Sequence, residues 1–251
     1  MSKVFISGSI SIKKLPTCVE ESIKKIIHHN FEILVGDADG IDTMVQNYCK
    51  KHNYISVTVY SIYKTPRYKI HGFQNQYIVV ENDSKKERER QQEKDAAMTS
   101  DSDYSFVIWD GKSQGSYYNI LRAIDNHKKV KLYLSDEDRF LESNKITKNE
   151  IEYIFRKNNG YTASEVVEYL KKEGEDYFKD TRAFNKCLIE NKVIAKEESI
   201  YLPMPNYEHL FYIEKYQGNV KGIKFTNEFI NWFEQWLKKH KQPEEFDLFP
   251  I

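Results

Sequence analysis

The chain has 251 residues with 38 basic and 38 acidic side chains, so its formal charge is zero and its pI lies near 7.1. That balance argues against a protein that coats nucleic acid by bulk electrostatics, because such domains are strongly basic. No run of eighteen apolar residues occurs, which excludes a transmembrane helix, while 40% hydrophobic residues supply enough apolar surface for a core.

The length suits one large domain or two small ones. The first eight residues turn polar too soon for a signal peptide. Cys18, Cys49 and Cys187 are spaced neither for zinc nor for a disulfide framework, so a reducing, cytoplasmic setting is expected.

Residues 3–7, 31–35, 55–60, 104–109 and 130–134 are short runs rich in β-branched and aromatic side chains, the signature of strands. Between them, Val19, Ile23, Ile26 and Ile27 share a helical face, as do Ile41, Met44, Val45 and Tyr48. Strand and helix in alternation predict a mostly parallel sheet with helices on both faces. Ligands in such folds bind beyond the carboxyl ends of the strands, which directs attention to the loops after Ser7, Val35 and Trp109. Residues 60–87 read as a long loop with a short strand at 77–80, and residues 84–101 as a highly charged helix whose plain reading is a solvated face.

A polar break at 135–146 predicts a linker between a first domain, 1–134, and a second, 147–251. The second half reads as helices near 147–158, from 162, and near 179–191, then two extended pieces at 193–196 and 199–202. Three small helices and a hairpin make the plan of a winged helix. A last amphipathic helix, 227–240, carries Phe229, Phe233, Trp236 and Leu237 on one side, suited to a core or a dimer contact.

The densest chemistry lies in Gly36-Asp37-Ala38-Asp39-Gly40-Ile41-Asp42, between a predicted strand and a predicted helix. A calcium loop would need Gly at its sixth position and Glu at its twelfth, where this chain has Asp42 and Tyr48, so no metal is expected. Gly36 and Gly40 instead allow close backbone approach, and amides at the helix start favour an anion. Asp42 suits either a cap or a sugar hydroxyl, and the plainer alternative is that Asp37 and Asp42 only shape the turn. Residues 109–116, with Asp110, Lys112, Ser113, Gly115 and Ser116, form a second strand-to-helix turn suited to phosphate, without Walker A spacing. Ser7, Gly8 and Ser9 make a third. Three such turns at the ends of three strands are expected to converge on one crevice.

Together, residues 36–42 with Gln46, then Lys94, Asp95 and Met98, then 102–104, and 109–116 with Asn119 resemble the SLOG superfamily, nearest the YspA type. The resemblance covers about residues 3–134. It implies a modified Rossmann fold binding a nucleotide or nucleotide-derived ligand, with no separate cofactor. Relatives of that kind include phosphoribohydrolases, nucleoside deoxyribosyltransferase-like enzymes and sensor or effector modules of bacterial antiviral systems. The enzymatic ones place a glutamate four residues after the glycine of a Gly-Thr pair, and here the matching pair is Gly115-Ser116 and the matching position Asn119. An amide cannot be the nucleophile or stabilise an oxocarbenium-like transition state. If an N-glycosidic bond is cleaved, Asp37, Asp42, Asp95 or Asp110 must supply the carboxylate. Arg90 and Lys94, at i and i+4, complete the expected ligand-binding set, and Arg67 is a further candidate clamp.

In the second half, Lys179, Arg182 and Lys186 lie on the candidate recognition helix, which suggests nucleic acid. Residues 146–251 carry more acidic than basic side chains, so a partner protein suits this domain equally well. A homo-oligomer is also expected.

Overall fold

The computed structural model describes residues 1–79, 86–174 and 177–240. They fall into two units, one from Met1 to Ile154 and one from Phe155 onward. The first contains the anticipated strands β1 (Lys3–Gly8), β2 (Glu32–Val35), β3 (Val57–Ser61), β5 (Tyr104–Trp109) and β6 (Lys129–Leu134), together with β4 (Gln74–Tyr77) and β7 (Arg139–Phe140). They form one sheet in the order β4-β3-β2-β1-β5-β6-β7, parallel except for β7. With helices on both faces, this is a Rossmann-like α/β fold.

Period-two burial explains the layering. Val4 and Ile6 point to one face, where they pack with Val19 and Ile23 of α1 (Thr17–His28) and with Ile41 and Val45 of α2 (Ile41–Lys51). Phe5 points to the other, where it meets Leu34, Tyr60 and Met98 of α3 (Glu87–Asp101). Each such fully buried aliphatic side chain stabilises the fold by about 1.5–3 kcal/mol. Helix α4 (Gln114–Asp125) buries Ile120 and Ala123 and packs against β5, β6 and α3. Strand order reverses between β1 and β5, so their loops diverge and open a crevice at the carboxyl ends.

Two boundaries differ from the sequence reading. The strand expected at 77–80 lies at Gln74–Tyr77, and residues 80–85 are outside the described set. Residues 135–146 are not a free linker. Arg139 and Phe140 pair antiparallel with β6, and Leu141 N donates to Leu132 O, so this polar stretch closes the sheet edge. The division between units falls within α5 (Lys148–Asn159).

The second unit holds α6 (Ala163–Lys172), α7 (Thr181–Glu190), the hairpin β8–β9 (Ile194–Glu197 and Ile200–Pro203) and α8 (Asn227–His240). Thr162 and Glu165 form a capping box on α6, and Asp180 accepts from the amides of Arg182 and Ala183 to cap α7. A further hairpin, β10–β11 (Phe211–Tyr216 and Asn219–Phe225), was not anticipated, although Gln217 and Gly218 at positive φ make a suitable two-residue turn. Phe184, Phe225, Phe229 and Phe233 fill the core, so the α8 stripe is core rather than an open contact face.

Candidate functional site

The three turns do converge. A cavity of about 310 Å³ at the carboxyl ends of β1, β2 and β5 is lined by Gly8, Ser9, Asp42, Asp110, Ser113, Gly115, Ser116 and Asn119. Its far wall is one stripe of α3, formed by Gln91, Lys94, Asp95 and Met98. These fall at i, i+3, i+4 and i+7, so one edge of this strongly polar helix faces inward.

Close packing builds the first two turns. A β-carbon on Gly8 would lie 2.4 Å from Ile108 O and 2.5 Å from Ile41 Cγ1. Gly40, at φ 82°, presses against Ile10, whose Cα would be 2.7 Å from an added β-carbon. Gly36 lies behind the cavity wall, where a β-carbon would fall 2.3 Å from Asp42 Oδ2 and 3.0 Å from Lys94 Nζ. The glycines at 36 and 40 thus shape the turn and let side chains cross over it.

One end of the cavity is a hydroxyl cluster. Ser9 Oγ lies 2.6 Å from Ser113 Oγ and 3.5 Å from Ser116 Oγ, and it accepts from Asp110 N at 3.1 Å. This cluster adjoins the first turn of α4, whose leading amides have no intrahelical acceptor. The other end is carboxylate and ammonium. Lys94 is only 4% exposed, with Nζ 3.5 Å from Asp95 and 3.9 Å from Asp37. Ser7 Oγ and Gln91 Nε2 are buried on lining residues and have no hydrogen-bond partner among the described residues.

The four carboxylates separate by environment. Asp37 does not line the cavity. It accepts from Ser61 Oγ at 2.7 Å, Arg67 N at 3.1 Å and Arg67 Nη2 at 2.8 Å. Burial pushes its carboxyl up, but these donors and Lys94 outweigh it and hold the group below its ordinary range. Its role is to fix Arg67, which reaches the cavity from the loop before β4. Asp110 lines the cavity but accepts from Ser11 Oγ, Lys112 N and Ser113 N. Burial raises it and those three donors lower it further, so it is an ionised turn-former. Of these two catalytic candidates, Asp37 lies outside the cavity, and Asp110 lines it with both oxygens engaged by Ser11 and by its own turn. Among the described residues Asp42 accepts only from Ala38 N, at 3.2 Å, and burial pushes its carboxyl up to about 6 against the pull of Lys94. With Asp110 so engaged, Asp42, Asp95 and the exposed Asp39 are the lining carboxylates left to act on a ligand.

Other expected residues fall elsewhere. Lys112 does not line the cavity, and its ammonium pairs with Asp136 at 2.6 Å on the surface. Arg90 also lies outside the lining, its Nη2 donating to Ile62 O at 3.4 Å. Asn119 is buried in the wall, where its Oδ1 accepts from Arg122 Nη1 at 2.7 Å. Gln46 is structural, donating to Gly36 O and Tyr68 O while accepting from Ile70 N, which ties the 62–73 loop to the second turn. Trp109 is wholly buried. On the second unit, Lys179, Arg182 and Lys186 are exposed, with Lys186 3.7 Å from Glu190.

Sequence reasoning places Ser7 in the first turn but passes over Ser11 and Gln91. The signal for Gln91 is its spacing, since residues 91, 94, 95 and 98 share one edge of α3.

Among the described residues, no group of three or more His, Cys, Asp or Glu side chains could hold a metal ion, and no helix is long and apolar enough to cross a membrane. Compared with family models, with curated proteins and with solved structures, the chain matches none.

Proposed function

We propose that the first unit is a SLOG-like module that binds a nucleotide or nucleotide-derived ligand in the carboxyl-end cavity. The carrying observation is the cavity's polarity: a serine cluster beside a helix N-terminus at one end, and Lys94, Asp42 and Asp95 at the other. The serine end suits a phosphate, which would take the free amides of α4 and the hydroxyls of Ser9, Ser113 and Ser116. The carboxylate end suits sugar hydroxyls, with Ser7 and Gln91 offering unused polar atoms.

The same cavity supports cleavage of an N-glycosidic bond. Asp42, held near pH 6, can protonate a departing base, while the Asp95 carboxylate faces positive charge developing at the anomeric carbon. Water adds to that carbon as the carbon–nitrogen bond breaks, and the proton it releases restores the Asp42 acid. We infer a sensor or effector in a bacterial defence or toxin-like system, acting in the cytoplasm, where three free thiols would persist.

Incubation with NAD and a panel of nucleoside monophosphates, followed by chromatography for free base and by calorimetry for binding, tests this reading. Base release supports an enzyme and binding alone a sensor. Neither event with any member would reject it. A second reading is favoured by the exposed Lys179, Arg182 and Lys186 at and before α7, next to the β8–β9 hairpin. In it the second unit docks nucleic acid or a partner protein and the nucleotide pocket is non-catalytic. Titration with single- and double-stranded DNA at several salt concentrations separates these partners, and light scattering tests the expected homo-oligomer.

A further inference from the structure

A second cleft lies at the opposite, amino end of the same sheet. It has a volume of about 260 Å³ and sits between the last two turns of α1 and the starts of β1, β5 and β6. The topology accounts for it. The chain leaving β6 returns as β7 rather than as another face-covering helix, so this strip of sheet beyond α1 lacks a full roof.

The floor is apolar and largely aromatic. Phe31 and Tyr104 stack with centroids 5.5 Å apart, and Phe106, Ile26 and Val130 continue the surface. The rim is cationic, carrying Lys25, Lys129 and Lys131, and no acidic residue lines the cleft. None of the three lysines is in an ion pair among the described residues. Lys131 Nζ is held over the floor, donating to Ser22 Oγ at 2.8 Å and lying 4.4 Å from the Phe140 ring centroid and 5.7 Å from that of Phe106. Burial and the nearby Lys25 ammonium both press Lys131 toward its neutral form. An anion seated here would relieve that repulsion while its apolar body covered the rings.

We propose that this cleft is a binding site for an organic carboxylate with a flat aromatic body. The ring lies on Phe31, Tyr104 and Phe106 and the carboxylate faces Lys25 and Lys131. The site is separate from the carboxyl-end cavity and does not depend on nucleotide binding there. Uncompensated cations at the rim of an aromatic floor discriminate by charge, since a neutral isostere gains the stacking but not the ion pairs.

The full chain is titrated with 2-naphthoate and with the uncharged 2-naphthamide, following amide chemical shifts. Naphthoate is expected to bind saturably at about millimolar concentration or below, and about tenfold or more tightly than naphthamide. Shifts should centre on residues 22–31, 104–106 and 129–131. The double variant Lys25→Met/Lys131→Met keeps the apolar stems and, with an unchanged melting temperature, should erase the preference for the acid. Absent naphthoate binding, equal binding of acid and amide, an undiminished preference in the variant, or shifts centred on residues 110–119 would each overturn the proposal.

Discussion

Replacing Asp42 by Asn should make the protein more stable as pH rises, relative to the unaltered chain. Asp42 sits in the first turn of α2 with burial driving its carboxyl from an ordinary 3.8 to about 6. The unfolded chain releases this proton near 3.8 and the folded chain only near 6. Between those values the folded state binds more protons, so the group's contribution to stability falls as pH rises, and the full penalty applies above about 6. At 1.36 kcal/mol per pKa unit, that penalty is at most about 3 kcal/mol. Asn does not titrate. The difference in unfolding free energy between Asp42→Asn and the unaltered chain should therefore grow by up to about 3 kcal/mol between pH 4 and pH 7, then level off. Titrating groups that do not interact with Asp42 cancel in the difference. Urea unfolding can be followed at the buried Trp109 with Trp232 and Trp236 replaced by Phe in both chains, so that only the first unit reports. A difference that stays constant across this range would refute the reasoning. The stabilised variant should also bind nucleotide more weakly, as expected of a group kept at a cost for function.

Asp37→Ala should destabilise the first unit by about 1–3 kcal/mol in urea, because it leaves the buried Ser61 hydroxyl without its acceptor, frees Arg67 and leaves Lys94 to Asp95 alone, and the loss should be greatest above the ordinary carboxylate range and shrink as acid protonates Asp37 in the unaltered chain. Gly40→Ala should cost about 1–3 kcal/mol through its positive φ and backbone contact with Ile10, whereas Gly36→Ala, which meets only the movable ends of Asp42 and Lys94, should cost less stability yet still disturb binding, as paired thermal melts and calorimetry would reveal. Lys94→Met should weaken nucleotide binding by about tenfold or more, while Lys112→Ala, whose ammonium pairs with Asp136 on the surface, should leave affinity unchanged and alter stability by less than about 1 kcal/mol.

Lys94 and Lys112 illustrate what a local pattern can and cannot convey. Lys112 follows from sequence as the cation of a small-residue turn and Lys94 from the family resemblance, on a charged helix whose plain reading is a solvated face. Only the placement of α3 across the crevice turns Lys94 inward, while the turn closed by Asp110 aims Lys112 at Asp136. The carboxylates follow the same logic. Asp37 and Asp42 stand five residues apart in one motif, yet one meets Arg67 and Ser61 from a distant loop and strand and the other meets little beyond Ala38 N.

The amino-acid order alone determined the alternation of strands and helices, the three small-residue turns and the helix–hairpin plan of the second unit. Each of these rests on period, propensity and turn chemistry within a few residues. Tertiary structure alone decided that Arg139 and Phe140 close the sheet edge, that Asp42, Asp95 and Asp110 line the cavity while Asp37 lies outside it, and that an apolar cleft with a cationic rim opens at the far end. Those outcomes depend on which distant donors, charges and rings are brought within a few ångströms, and such neighbours leave no local signature in the chain.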